Sequence, residues 1–277
     1  MTESHRPFTA IVLAADRGAE DPVAGAAGVR CKSVAPIDGI PMVLRVLGAL
    51  AASTEVDARI LCGPHKAIVE AQPDLSAGIK SGQLRWMQHQ QTPSSSAFEA
   101  LQSVPEQIPV LVTTADHALL NADIVDYFCS RARTTGSDVV AAVARYEVVS
   151  EAYPRTQRTA IRLQDGAYCG CNLFAFLTPR ARRAADFWRR VESQRKNPLR
   201  VIRILGLGAV LRYMLGKLSL SEALGRMSNR LGFKAGAVVM PMPEAAIDVD
   251  SAADLHLVGE IVRAQKTEVG KQRTDDK

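Results

Sequence analysis

Residues 9–15 (TAIVLAA) form an unbroken apolar run, rich in β-branched side chains, that ends in a polar, glycine-bearing loop. That is the pattern of a strand buried on both faces. Downstream, Val43, Val46, Leu47 and Leu50 recur at helical spacing, so a helix is predicted to begin near Pro41. The alternation then repeats. Strands are predicted over 58–62, 84–87, 110–114 and 139–143, and helices over 65–71, 95–103 and 122–133. Strand and helix in alternation predict an α/β fold, a mixed, mostly parallel sheet with helices on both faces.

The second half reads differently. Residues 159–163 and 168–176 flank Gln164-Asp165-Gly166-Ala167, a hairpin with Asp-Gly as its turn signal. Helical stretches follow over 180–194, 199–215 (weakened at Gly206 and Gly208) and 219–231. A strand over 235–240 and a helix over 252–266, with Ser251 as its N-cap, complete the pattern. Residues 267–277 are polar and are expected to be a disordered tail. No internal repeat or low-complexity linker interrupts the chain. One domain over 1–266 is predicted, with a basic helical insertion over 180–231.

With 277 residues, 47% of them hydrophobic and 23% charged, the chain can bury a full core. Its longest apolar run, 204–211, falls far short of the roughly 20 residues of a membrane-spanning helix. The N-terminal residues MTESHRPFTAIVLAA lack the layout of a secretory signal, so a cytoplasmic location is expected. Cys31, Cys62, Cys129, Cys169 and Cys171 are an odd set without CxxC spacing, which predicts reduced thiols. His65, His89 and His117 form no metal-spaced cluster.

The net charge of +5 is unevenly spread. Residues 180–217 hold eleven Lys or Arg against two acids, a net +9, leaving −4 for the rest. The segment lacks interleaved aromatics, which argues against a nucleic-acid partner. It reads as a solvated face, as an acceptor-phosphate site around Lys196, or as a peripheral contact with an anionic membrane through 180–217.

Three segments carry candidate chemistry. The loop after the first strand runs from Leu13-Ala14-Ala15-Asp16-Arg17-Gly18 to Gly28-Val29-Arg30-Cys31-Lys32. Loops at the carboxyl ends of strands in open α/β sheets are where ligands bind, and backbone N–H groups with cationic side chains can neutralise phosphates there. By composition alone a solvated turn fits as well. Asp116 falls just past the strand over 110–114, a position suited to a hard divalent cation; the competing helix-cap role falls better to Asn121. Asp248 and Asp250 alternate, so on an extended strand end they would face one side and could share a cation. A capping box between Ser251 and Asp254 would explain part of the same run.

These segments together resemble the molybdenum-cofactor-type, or MobA-like, nucleotidyltransferases. The resemblance rests on LAADRG, GVRCK and APIDGIPMVLRVL between Ile11 and Leu47, on TADHALL around Asp116, and on AIDVDSAADL near the end. Lys32 matches the family lysine, Gly39 and Pro41 its G-x-P, and Arg45 its helix arginine. Asp16 stands where the family usually has glycine, Ala118 replaces the proline of D-x-P-L, and the segment before Lys32 is several residues longer.

The resemblance implies a glycosyltransferase-A-like, Rossmann-like fold. It also implies catalytic Lys32, Arg17 and Arg30, and nucleotide contacts from Leu13, Ala14, Ala15, Gly18, Asp116 and the Ser94-Ser95-Ser96 turn. Asn172 would meet the acceptor, beside Lys196, which the charge of the basic segment and not the resemblance nominates, and Asp116, Asp248 and Asp250 would hold Mg2+, or Mn2+ in its place. The implied reaction transfers a nucleoside monophosphate from CTP or GTP to a phosphorylated small-molecule acceptor, with release of pyrophosphate. A glycosyltransferase using a nucleotide sugar, or a non-catalytic nucleotide-binding protein, are the alternatives.

Overall fold

A computed structural model describes residues 6–15, 21–156, 158–192 and 206–275. The first strand, β1 (Phe8–Leu13), is wholly buried, and its side chains divide by parity. Phe8, Ala10 and Val12 enter one core, and Ile11 and Leu13 enter the other. The apolar run therefore serves both faces of the sheet, as a period of two requires.

In chain order the next elements are α1 (Pro22–Ala27), β2 (Pro36–Ile37), β3 (Ile40–Pro41), α2 (Met42–Ala52), β4 (Val56–Cys62), α3 (Lys66–Glu70), α4 (Pro73–Lys80) and β5 (Arg85–Met87). There follow α5 (Pro93–Gln102), β6 (Val110–Thr114), α6 (Ala122–Thr134), β7 (Val139–Arg145), α7 (Tyr146–Ala152), β8 (Ile161–Leu163) and β9 (Gly166–Phe176). The last elements are α8 (Ala181–Glu192), α9 (Leu207–Met214), α10 (Leu220–Leu231), β10 (Ala235–Met240) and α11 (Ala252–Asp275).

The main sheet has eight strands in the order β10-β7-β9-β6-β1-β4-β5, with β8 paired to β9 off this path. β9 runs antiparallel to its neighbours β6, β7 and β8, and the other pairs are parallel. Helix α2 lays Met42, Val43, Val46, Leu47 and Leu50 on one face, joined by α6 through Ile124, Val125, Phe128 and Cys129. Helices α5 and α8 cover the other through Ala97, Ala100 and Leu101, and Ala181, Ala184 and Ala185. The small residues of α8 let it pack closely, and Trp188 reaches Phe174 of β9 with ring centroids 5.9 Å apart.

The mixed sheet agrees with the sequence pattern, and three differences have local causes. The loop before Lys32 contains α1, capped by the Asp21 carboxylate accepting from the Val23 and Ala24 amides and ended by Gly28 at φ 64°. The Asp38-Gly39 pair, at φ 51° and 78°, turns the small β2–β3 hairpin just ahead of α2. Finally, α11 continues to Asp275, where the polar composition predicted disorder from residue 267. Residues 267–275 contain no proline, and Glu268, Lys271, Gln272 and Arg273 are good helix formers that outnumber the single glycine, Gly270. The predicted helix over 199–215 is seen as α9, which starts after Gly206; residues 199–205 lie outside the described part.

Candidate active site

Strands β1, β4 and β6 end side by side, with Leu13 in register with both Cys62 and Thr114. The chain leaves β1 toward β4 and β5 and later returns to β6 on the opposite side. This is a topological switch point, where open α/β sheets form their binding crevice. Pairing continues one step past the strands, as the Ala14 amide donates to Cys62 O and the Ala115 amide to Leu13 O, both at 2.9 Å. Gly63, at φ 79°, lets β4 turn away here, since a Cβ on it would lie 3.0 Å from the Ala14 carbonyl oxygen. Leu13 and Ala14 are buried and Ala15 is half-buried at the rim of this crevice. Asp16, Arg17 and Gly18 lie outside the described residues, as does Lys196.

Beyond α1, Arg30 is exposed, and Lys32 opens a single 3-10 turn, Lys32–Val34, that faces inward. Its ammonium donates to Asp116 Oδ2 at 2.6 Å and to Asp250 Oδ1 at 2.8 Å. Burial alone would lower the lysine's pKa, but the charges and hydrogen bonds of Asp116 and Asp250 outweigh it and hold the pKa above its ordinary value. Lys32 is therefore a fixed cation at neutral pH.

Asp116 stands one residue beyond the extension of β6, and its loop is held from two directions. The Val249 amide donates to Asp116 O at 3.0 Å, and Arg45 of α2 donates through Nε to Ala118 O at 3.3 Å. The neighbouring His117 is fully buried, and desolvation pushes its imidazole down to about 4, against the pull of Asp116 and the Glu244 backbone. Asp116 Oδ1 is buried and has no hydrogen-bond partner among the described residues. An uncompensated buried carboxylate oxygen is costly unless a ligand or cation completes it.

The closing run departs from its expected geometry. Residues 247–250 are not a strand, and the two aspartates take different cations. Asp250 turns to Lys32, whereas Asp248 pairs with Arg158 and accepts from Asn172 Nδ2 at 2.7 Å. Arg158 also donates to Asp248 O at 2.5 Å. The capping box closes the run, with the Asp254 amide donating to Ser251 Oγ at 3.1 Å and the Ser251 amide to Asp254 Oδ2 at 2.9 Å. Among the described residues no group of three His, Cys, Asp or Glu side chains is placed to hold a metal.

Asn172 itself adopts φ 47° inside β9, where the register with β7 slips between Ala141 and Val143. A non-glycine residue in this region of a strand is a strained position of the kind found at functional sites. Arg158 is a residue the sequence pattern missed. No motif marks it, and the charge of its partner, Asp248, was assigned elsewhere.

The serine turn is locally satisfied. Thr92 caps α5 by accepting from the Ser95 amide at 3.2 Å, and Ser96 Oγ donates to Thr92 O while accepting from the Gln90 amide. Ser94 is buried, with its hydroxyl 3.1 Å from Thr92 Oγ1. The turn follows β5, at the same end of the sheet as Lys32.

Fold and charge arrangement define a Rossmann-like α/β protein with a lysine and two carboxylates at its switch point. The sequence matches the MobA-like NTP transferase domain over residues 10–227, and the chain belongs to that family of nucleotidyltransferases. A hypothetical transferase from Thermus thermophilus superposes with a TM-score of 0.73 at 32% identity, covering 91% of this chain and 100% of that one. A 4-diphosphocytidyl-2C-methyl-D-erythritol synthase from Anaerococcus prevotii superposes with a TM-score of 0.55 at 13% identity, over 93% of this chain and 96% of its own. A CMP:2-keto-3-deoxy-manno-octonic acid synthetase complexed with CTP gives 0.54 at 12% identity, over 94% and 100%. At these identities the last two share the fold alone. No curated protein sequence is similar enough to match.

Proposed function

We propose that the chain transfers a nucleoside monophosphate from CTP or GTP to a phosphorylated small-molecule acceptor. An acceptor phosphate oxygen forms a bond to the α-phosphorus while the bond from that phosphorus to the β-bridging oxygen breaks. Pyrophosphate leaves with the electron pair. Such a step requires positioning and charge neutralisation more than covalent help from the protein.

The observation that carries this reading is the Lys32 ammonium, held at 2.6 and 2.8 Å by Asp116 and Asp250 where β1 and β6 end. A buried, permanently charged lysine at that place can take a phosphate oxygen in exchange for a carboxylate, and so stabilise charge that moves onto the leaving pyrophosphate. The rim from Leu13 to Ala15 supplies close backbone for the nucleotide, Ser94, Ser95 and Ser96 frame the base side, and Asn172 faces the acceptor. Arg17, Arg30 and Lys196 remain candidates for further phosphate contacts.

The donor set also fits a hard divalent cation, because Asp116 keeps one buried oxygen without a hydrogen-bond partner among the described residues and shares the Lys32 ammonium with a second carboxylate, Asp250, through its other oxygen. Asp116 and Asp250 would hold Mg2+ or Mn2+, which when bound supplies further neutralisation of phosphate charge. Asp248, engaged by Arg158 and Asn172, supports the acceptor side instead.

The test is pyrophosphate release from each of the four triphosphates with magnesium, across a panel of sugar, polyol and pterin phosphates. The CTP complex of a protein with this fold makes CTP the first donor to try. Release that depends on both donor and acceptor supports the reading. Glycosyl transfer from a nucleotide sugar without pyrophosphate, or nucleotide binding with no release from any acceptor, overturns it.

A further inference from the structure

Helix α9 is built the wrong way round for a helix facing water. Its small residue Ala209 is fully buried, while Leu207, Leu211 and Met214 are 70%, 55% and 78% exposed. Leu215 at the C-cap is 61% exposed and Tyr213 45%. Five of the nine exposed large apolar residues among those described fall within these nine positions, so the exposure is one patch and not scatter. Leu207, Leu211, Met214 and Leu215 follow the spacing of a single helical face. A contiguous apolar patch of this kind marks an interaction surface.

The patch is bordered by positive charge. Arg212 lies within the helix, where Glu222 partners it, and Lys217 follows the helix, exposed and without an ion pair among the described residues. The sequence around it, 180–217, carries the +9 excess. Apolar side chains with Arg212 and Lys217 beside them, next to a strongly basic stretch of sequence, complement a surface with an anionic exterior and an apolar interior.

The patch also lies at the active-site end of the sheet. The Gln164 amide donates to Leu218 O at 2.9 Å, and Asp165 accepts from the Leu220 amide at 3.1 Å, so the α9–α10 junction is pinned to the β8–β9 turn. β9 is antiparallel to β7, with Tyr168 beside Arg145 and Phe176 beside Val139. Its turn end therefore lies where the parallel strands finish, the end that carries Lys32 and Asp116.

From this geometry we infer that α9 is a docking helix for an anionic phospholipid surface, seating Leu207, Leu211, Met214 and Leu215 in the bilayer interface with the active-site edge turned toward it. The inference is independent of the donor and acceptor proposed above, because it reads membrane binding and not turnover.

The experiment is co-sedimentation of the full chain with vesicles of phosphatidylcholine alone and of phosphatidylcholine with phosphatidylglycerol, at low and high salt. Binding is expected to the anionic vesicles only and to weaken as salt rises. Leu211→Asp and Met214→Asp should each lower it by roughly tenfold or more while leaving the thermal midpoint unchanged. Lys217→Glu should erode the preference for the anionic vesicles. Absence of vesicle binding, or binding that survives both Asp variants, overturns the inference. So does a wild-type dimer, seen by light scattering, that Met214→Asp turns into a monomer without any vesicle binding, since a second copy of the chain then covers the patch.

Discussion

Lys32 and Asp116 are 84 positions apart in the chain, and their side chains meet at 2.6 Å. The lysine is also 2.8 Å from Asp250, so a single ammonium joins the loop after β1, the loop after β6 and the segment before α11.

Turnover should depend on both partners. Lys32→Ala and Asp116→Ala are each expected to lower pyrophosphate release by roughly tenfold or more, about 1.4 kcal/mol of barrier, with circular dichroism unchanged. Wild-type rates in both purified variants would remove this site from the mechanism.

Asp248 and Asp250 should separate in a metal titration. Asp250→Asn is expected to raise the magnesium concentration needed for half-maximal rate, and Asp248→Asn to leave it in place. Equal shifts in the two variants would restore the picture of a shared cation.

Stability is where Asp248 should be felt. The Arg158 and Asp248 side chains are only 12% and 19% exposed, and Asp248→Ala leaves the buried guanidinium without its carboxylate partner. A loss of about 3 kcal/mol is expected in urea denaturation. Asn172→Gly should cost less, because it gives up one hydrogen bond while relieving a backbone held at φ 47°. A larger loss from Asn172→Gly than from Asp248→Ala would contradict this account.

Acid sensitivity should trace in part to Asp126. Burial alone would raise this carboxyl, but hydrogen bonds from Ser53 and from the Thr54 hydroxyl and amide hold it below its ordinary value. A depressed acid stabilises the fold above its unfolded pKa, near 3.8, and the stabilisation is lost as pH falls through the lower folded value. Because the group is largely solvated, the screened contribution is about 1 kcal/mol. Thermal midpoints recorded from neutral to acid pH should fall less steeply below that point for Asp126→Asn than for the parent. Parallel curves would exclude the contribution.

The thiols should be silent in the native state. All five cysteines are buried, and burial pushes Cys62 and Cys171 up to about 12. Native protein at mildly alkaline pH is expected to react with a disulfide reagent only as fast as it unfolds. A rapid stoichiometric phase in the absence of denaturant would contradict the buried placement.

What could be read from the chain divides along physical lines. β1, β6, α2 and α6 announce themselves because burial on a regular element imposes a period, and a period survives in one dimension. Asp116 was legible for a related reason, as a polar residue placed directly after a buried strand. The partnership of Lys32 with Asp250, and the role of Arg158, were not legible, because an ion pair across the fold leaves no periodic trace. Asp248 and Asp250 illustrate the limit. Alternation predicted one shared side, but a backbone pinned through Val249 to Asp116 O is not a strand, and each carboxylate turned to the nearest cation. α1 was hidden by its own brevity and its glycine, and the last turns of α11 by a polar composition that suits an exposed helix as well as a coil.

The junction at Lys32 has a consequence for the order in which the molecule is made. Its members come from the first, middle and last parts of the chain, and the Lys32 to Asp250 contact spans 218 positions. Contacts of such long sequence separation are the slowest to form in folding and the last available during synthesis. A ribosome-bound chain can complete β1, β4 and β6 and still lack Asp250. The Lys32–Asp116 pair can therefore form before the last part of the chain exists, and the three-way junction closes only when Asp250 arrives.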